Sequence, residues 1–413
     1  MRQGNKIIQV FEHELLQVGE QFQQKHLKAF SKLNALHDDM YFDLRYNGIK
    51  FKNFVGVIQV DGLTVEILPK IDASETNEEL WQSVLIEMLR TTKKLQVQKV
   101  GNANVSRQNI HLLDIYFEWF LNELELLIHN GLIKQYYKQT KNVKALKGKL
   151  EFAGHLRKNL IHKERFYTTH QIYDKDHLIH QILSKALYII EDFTKGTYLY
   201  SRCKSVRLDF PEVKEIKVDK TTFSRVKKGR KTAPYATALE IARLIILNYA
   251  PNISAGDEKM LALLFDMNNL WEVYVLVKLK QEAADLENVE VYGQQSREFW
   301  QGITIRPDIV VKKDDEYFVI DTKWKNIQNF NPSTQDLRQM YVYNDYWKSV
   351  RAMLLYPAEV SMPPDFKNFR QRDHQCAVGK LNILERGKLK SNLGREILEW
   401  YHIPISEKVN ESQ

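Results

Sequence analysis

Two short segments of this sequence carry the residue types that phosphodiester hydrolysis requires: Arg306-Pro307-Asp308 and, further along, Asp321-Thr322-Lys323. That reaction uses carboxylates to hold one or two Mg²⁺ ions, which activate water and neutralise charge on the pentacovalent phosphorus. A lysine beside the metal orients the water or stabilises the developing charge. The carboxylates must converge on one point although they lie apart in the chain. Side chains alternate across a strand, so Asp321 and Lys323 project from one face together with Val319. Phe318, Ile320 and Thr322 point the other way on the same reading. Two adjacent antiparallel strands would bring Asp308 to Asp321.

The surrounding pattern supplies those strands. Leu261–Leu279 has helical spacing. Val289–Tyr292, Thr304–Val311 and Tyr317–Lys323 read as strands, the last two joined by a turn over Lys312–Glu316. Ser333–Trp347 reads as a helix, and Arg351–Tyr356 as a strand ended by Pro357. The expected order is α-β-β-β-α-β. Glu272 lies on the first helix. Gln339 and Tyr343 are four apart on the second and share a face.

The chain before this region has a different rhythm. Up to about Asp72 it reads as β-rich, with a hairpin made by Phe54–Val60, the Asp61-Gly62 turn and Leu63–Leu68. Helices are expected over Asn77–Thr91, Leu112–His129, Asp176–Phe193 and Ala238–Tyr249, the last closed by Pro251. Val206–Val218 reads as irregular or strand-like. The aromatic run Tyr116–Phe120 reads as core. A polar stretch near Ile253–Lys259 marks the expected boundary between an N-terminal α+β assembly region, 1–255, and a C-terminal α/β domain, 256–413. A further break is expected near 75–110.

The full chain of 413 residues has formal net charge +8 and contains two cysteines. A basic surface favours polyanions, and Arg225–Lys231 is the densest basic run. Cys203 and Cys376 cannot build a disulfide framework. His170, His177 and His180 cluster without metal-ligand spacing and read as structural. With no apolar signal segment, no membrane-length apolar run and no G-x-x-x-x-G-K-[ST] loop, the sequence suggests a soluble cytoplasmic protein without a nucleotide motor of its own.

Pro307-Asp308 followed by Asp321-x-Lys323, in this element order, resembles the PD-(D/E)xK nuclease superfamily. Glu272, in Asn269-Leu-Trp-Glu, matches the place where that superfamily often carries an additional acid. Gln339–Tyr343 fits the Q-x-x-x-Y element of RecB-like nucleases. Residues from about 50 to 356 are similar to McrC proteins: Val55–Ile58, Val65–Lys70, Gly131-Leu132, Tyr136, Leu146–Leu150, the helix around His180–Leu187, and the nuclease segments above. Lys147 and Lys149 stand where that family usually has arginine, which keeps charge but loses bidentate geometry.

The resemblance implies a restriction-endonuclease-like C-terminal domain that cuts DNA with Mg²⁺, Mn²⁺ being a possible substitute. Asp308, Asp321 and Glu272 would be metal ligands. Lys323 would position or stabilise charge, with Gln339 and Tyr343 in support and Lys325 as a phosphate contact. It further implies an N-terminal region that docks on a hexameric AAA+ GTPase ring, the McrB type, and stimulates it. The alternatives are a stand-alone RecB-like nuclease and a non-catalytic, GTPase-activating scaffold.

Overall fold

The computed structural model describes residues 6–60, 62–72, 76–92, 111–250, 259–325 and 331–403. Contacts divide these into two compact units. One contains 111–250 and 259–263; the other contains 6–92 together with 264–403. The expected cut at residue 255 therefore separates stretches that the contacts group together. The first ninety-odd positions belong with the C-terminal third. Sequence reading missed this because the partnership rests on side chains far apart in the chain rather than on a local pattern.

In the second unit, a six-stranded sheet runs in the order Val289–Gly293, Ile309–Lys313, Glu316–Thr322, Arg351–Ala358, Gln375–Asn382, Lys367–Asn368. In the first three, each strand runs antiparallel to its neighbour. Glu316–Thr322 then pairs in parallel with Arg351–Ala358, which pairs in parallel with Gln375–Asn382. A parallel pair needs a crossover, and the Thr334–Trp347 helix supplies it. Ser333 caps that helix by accepting from the Asp336 amide, and Lys348 ends it in the left-handed region at φ 52°. Its buried residues Asp336, Met340, Tyr343, Asn344 and Trp347 recur at helical spacing. Met340, Tyr343 and Trp347 pack on Val310, Val319, Leu354 and Tyr356 of the sheet.

Several elements differ from expectation. The helix expected over Leu261–Leu279 is a strand, Met260–Asp266, followed by a helix, Met267–Ala283. Asp266 makes the break by capping the helix through the Asn269 amide at 3.0 Å. The strand expected over Thr304–Val311 is two strands, Ile303–Ile305 and Ile309–Lys313, interrupted at Arg306–Asp308. Pro307 has no amide to give a ladder. Pro357 does not end its strand, which pairs on through Ala358 with Asn382.

The second unit also holds a sheet segment in which Lys6–Phe11 runs parallel to Leu63–Leu68, itself antiparallel to Phe54–Val60. These last two strands are buried along their whole length. The expected hairpin is there, although Asp61 of its turn lies outside the described residues. The helix Gln24–Leu36 was not expected in this β-rich stretch.

The first unit is largely helical. Leu112–His129, Leu178–Phe193, Leu199–Asp209 and Ala236–Leu247 carry its core, and Tyr116, Phe117, Trp119 and Phe120 are buried in it. Residues 206–209, expected to be irregular or strand-like, belong to the third of these helices. A long antiparallel ladder, Gln135–Val143 against Phe166–Asp174, carries the short strand Lys149–Leu150 at its edge. Gly148 adopts φ +66°, and a Cβ there would sit 2.4 Å from the Thr169 carbonyl oxygen, so the Lys147-Gly148-Lys149 turn requires glycine. His177 and His180 are core residues facing the Ile133 and Lys175 carbonyls at 3.1 and 2.7 Å. The break expected near 75–110 and the boundary segment 253–258 fall mainly outside the described residues.

Candidate functional site

The antiparallel register pairs Ile309 with Ile320. One step further along, Asp308 stands opposite Asp321, at the end of the Glu316–Thr322 strand where it leaves the sheet. Asp308 lies in the bend before its strand rather than within it. Its Oδ2 is fixed from the neighbouring strand, accepting from the Thr322 amide at 2.7 Å and the Thr322 hydroxyl at 2.9 Å. Strict alternation would turn Thr322 away from this centre. The bend at Pro307 carries the Asp308 carboxylate off the pleat and onto the hydroxyl.

Asp321 is 1% exposed. Its Oδ2 lies 2.7 Å from the Lys323 ammonium, so the residues two apart meet as the strand period requires. Burial pushes the Asp321 carboxyl well above the ordinary carboxylate range, and the charge of Asp308 pushes the same way, against the pull of Lys323. Asp308 is also raised, by burial, against its two Thr322 hydrogen bonds and the charges of Lys323 and Arg306. Burial works against the Lys323 charge, but Asp321, Asp308 and Asp336 together hold the ammonium above its usual value. The result is a partly desolvated centre of two acids and one cation.

Gln339 and Tyr343 join this centre from the crossover helix. The Gln339 amide donates to Asp321 Oδ1 at 3.3 Å and to the Tyr343 hydroxyl at 2.8 Å. Tyr343 in turn donates to the Arg306 carbonyl at 2.9 Å. One helix face thus ties down both carboxylate-bearing segments, the Asp321 strand by its side chain and the Asp308 bend by its backbone.

Glu272 accepts from the Gln294 side chain at 2.7 Å, and the Gln294 amide donates to the Asp308 carbonyl at 2.9 Å. Among the described residues no three His, Cys, Asp or Glu side chains are grouped to hold a metal, so Glu272 does not form a three-acid cluster with the aspartates. Lys325 lies 3.6 Å from Asp336. Asp336, 4.0 Å from Lys323, was missed in the sequence. Its signal was the Ser333-x-x-Asp336 spacing of a helix start, which reads as capping rather than chemistry. Gln294 was missed as well, and it carries no motif.

The chemistry of the donors fits a hard divalent cation. A buried carboxylate, Asp321, and a half-buried one, Asp308, lie near one another at a strand end, and the charge of Asp308 works against ionisation of Asp321. A cation between them would remove that penalty. Mg²⁺ is commonly held by one or two carboxylates, with water and substrate phosphate oxygens completing its shell.

Comparison with known proteins bears on the family and the fold. A family model described as McrBC 5-methylcytosine restriction system component matches residues 49–357. The Escherichia coli K12 type IV methyl-directed restriction enzyme EcoKMcrBC is 21% identical over 288 residues, covering 63% of this chain and 81% of that protein. A chain of the Thermococcus gammatolerans half-complex, McrB AAA+ hexamers with bound McrC, shares the fold with a TM-score of 0.69. It is 19% identical over 95% of this chain and 100% of that one. A chain of the T. gammatolerans McrBC complex matches with a TM-score of 0.50 at 19% identity, covering 68% of this chain and 90% of that one. Among the described residues no helix is long and apolar enough to cross a membrane.

Proposed function

We propose that this chain, which belongs to the McrBC 5-methylcytosine restriction system component family, is the Mg²⁺-dependent DNA-cleaving subunit of such a system, with a PD-(D/E)xK nuclease centre. The observation that carries this reading is the convergence of Asp308, Asp321 and Lys323 at one strand end, with Lys323 2.7 Å from Asp321. When bound, Mg²⁺ supplies the polarisation that makes water a nucleophile and phosphorus an electrophile.

The residues of the chain do the rest. Asp308 and Asp321 offer the oxygens that hold the ion. Thr322 orients the Asp308 carboxylate, and Gln339 and Tyr343 fix the spacing between the two acids. Lys323 places a positive charge beside them for water or a phosphate oxygen. Lys325 offers a second cation on the same segment for the DNA backbone. Glu272 acts through Gln294 on the Asp308 backbone, a supporting part rather than that of a third ligand.

The partner in this reading is a McrB-type AAA+ GTPase ring; the T. gammatolerans structure, one chain of which shares this fold, holds McrB AAA+ hexamers with bound McrC. The first unit is assigned to docking. Its helix Phe152–Asn159 and the residues after it expose Phe152, Leu156, Leu160 and Ile161, each more than 60% accessible. An apolar stripe of that kind marks an interaction surface. The direct test is incubation of the chain and its GTPase partner with 5-methylcytosine-bearing DNA and Mg²⁺. Cleavage that Asp321→Ala abolishes supports the reading; full cleavage by Asp321→Ala overturns it.

A further inference from the structure

Directly before Arg306-Pro307-Asp308, the strands Arg297–Trp300 and Ile303–Ile305 form a two-stranded sheet of their own, outside the six-stranded sheet. Their turn is Gln301-Gly302, at φ 41° and 84°. Positive φ at both central residues gives the tight hairpin turn whose twist matches its strands. The Gly302 amide donates to Glu298 Oε1 at 2.9 Å, which braces the turn. A register shift falls between Glu298 and Trp300, leaving Phe299 as the extra residue.

The base of this hairpin is clamped to the helix that carries Gln339 and Tyr343. The Arg297 guanidinium lies 4.8 Å over the Trp347 ring and donates to the Tyr346 carbonyl. The Phe299 and Tyr346 rings are 5.6 Å apart, and the Tyr346 hydroxyl donates to the Phe299 carbonyl at 3.4 Å. The tip, in contrast, is bare: Trp300 is 61% and Ile303 54% exposed, and Phe299 stays 45% exposed beside Tyr346. Isolated two-stranded ribbons are marginal in water. Here a ribbon is held rigid by its base while its largest apolar side chains are left outside.

We propose that the Phe299–Trp300 hairpin tip contacts duplex DNA beside the cleaved phosphate, its aromatic rings stacking on or wedging between bases. This rests on the reading of the Asp308–Asp321 centre as a DNA nuclease. Ile303 pairs with Trp300 and leads directly into the Asp308 bend. At about 3.3 Å per residue that run reaches roughly 17 Å at most, or about five base steps at about 3.4 Å each. Between tip and centre stands exposed Arg306, whose charge reaches Asp308 and suits a phosphate. A two-stranded ribbon fits the major groove. Apolar wedges unstack steps from the minor groove, and aromatic faces stack on any base.

The test uses the chain assembled with its GTPase partner and a 5-methylcytosine-bearing duplex scanned with 2-aminopurine at successive positions. An Asp321→Asn background keeps that duplex intact, and cleavage kinetics are measured separately with Asp321 present. The expected result is a change in 2-aminopurine emission at one or two adjacent steps, lost in Trp300→Ala and restored in Trp300→Phe. KM for DNA should rise about tenfold in Trp300→Ala, with kcat changed less. The melting temperature should hold, because the ring is exposed. If the wild-type complex cleaves and Trp300→Ala matches it in KM and emission, the tip makes no DNA contact and the proposal falls while the nuclease reading stands. If Trp300→Ala instead weakens association with the GTPase at unchanged KM, the tip is a protein contact and the proposal is equally overturned. Tip-dependent emission in a complex that never cleaves would uphold the contact and overturn the nuclease reading.

Discussion

The indole N–H of Trp324 donates to the Glu12 carboxylate across 2.6 Å of space and 312 positions of sequence. Trp324 follows Lys323, and Glu12 follows the first described strand. Both are buried, Glu12 at 1% exposure. The same Glu12 oxygen accepts from the Lys70 amide at 3.0 Å. Around this bond, the Trp324 amide donates to Asn268 Oδ1 at 3.2 Å, and Asn53 donates to Asp266 at 2.9 Å while accepting from the Met267 amide at 2.9 Å. The N-terminal strands therefore brace the start of the Met267–Ala283 helix and the segment that carries Lys323.

Fragment 256–413 should accordingly fail as an independent domain. Removing residues 1–255, Glu12 and Asn53 among them, leaves the Trp324 N–H without its acceptor, at a cost of about 1–3 kcal/mol, and strips Asp266 of Asn53. Thermal unfolding of the fragment should be broad or absent. A sharp, cooperative transition at the temperature of the full chain would contradict this.

Glu12 should also make stability depend on pH. Burial raises its carboxyl to about 7 from an ordinary value of 4.5, against the Trp324 and Lys70 hydrogen bonds, with Asp266 adding to the rise. Its Oε2 accepts no hydrogen bond among the described residues, although His13 lies 3.7 Å away. The folded state binds this proton more tightly than the unfolded one. Its contribution is full below pH 4.5 and is lost as pH rises through 7, a change on the order of 3 kcal/mol. Glu12→Gln removes that slope, so the variant should gain on the wild type between pH 5 and pH 8. Urea midpoints at the two pH values measure it, and an unchanged difference between the proteins would refute it.

The centre itself should respond in grades. Asp308→Ala and Asp321→Ala should reduce DNA cleavage to background with Mg²⁺ present, and Lys323→Ala should lower kcat by about 10²–10³-fold. Association with the GTPase should be unaffected, because these residues lie at the strand end rather than on the exposed stripe. EDTA should abolish cleavage and Mn²⁺ restore it. Cleavage surviving EDTA would rule out a hard-metal mechanism.

Gln339→Ala and Tyr343→Phe should each cost about 10–100-fold in activity or metal affinity, the usual effect of groups that orient a ligand. Both break the tie from helix to carboxylates, Tyr343→Phe by releasing the Arg306 carbonyl. Cleavage rates titrated against Mg²⁺ separate the two effects. Wild-type behaviour in both variants would mean the tie is packing alone.

The Asp321–Lys323 pair and the Gln339–Tyr343 face were legible because each rests on a local period: two along a strand, four along a helix. Four of the six strands of the sheet around them were legible in the same way, whereas Lys367–Asn368 and Gln375–Asn382 were not expected. The Thr322–Asp308 bond was not, since it depends on a bend that alternation ignores. Nor was the Glu12–Trp324 bond, for no periodicity links a strand end to a residue 312 positions away. The Gln135–Val143 and Phe166–Asp174 ladder escaped because its strands are mostly half-buried and lack an apolar alternation.

The docking surface gives the last prediction. Phe152, Leu156 and Leu160 are four apart on one helical line and exposed, and Arg157 and Lys158 add charge beside them. Exposed apolar side chains contribute little to the fold that displays them, so Leu156→Glu and Leu160→Glu should leave the melting temperature nearly unchanged. They should weaken binding to the GTPase ring by about tenfold or more, since a charge replaces apolar burial at the interface. Stimulation of GTP hydrolysis should fall with binding, and cleavage should fall with it, although Asp308, Asp321 and Lys323 are untouched. A fragment holding the first unit alone, 102–263, should compete with the full chain for the ring if that unit carries the docking surface. Titration of wild type, double variant and fragment into the partner, read by GTP turnover, decides the matter. Undiminished stimulation by the double variant would move the docking surface elsewhere in the chain.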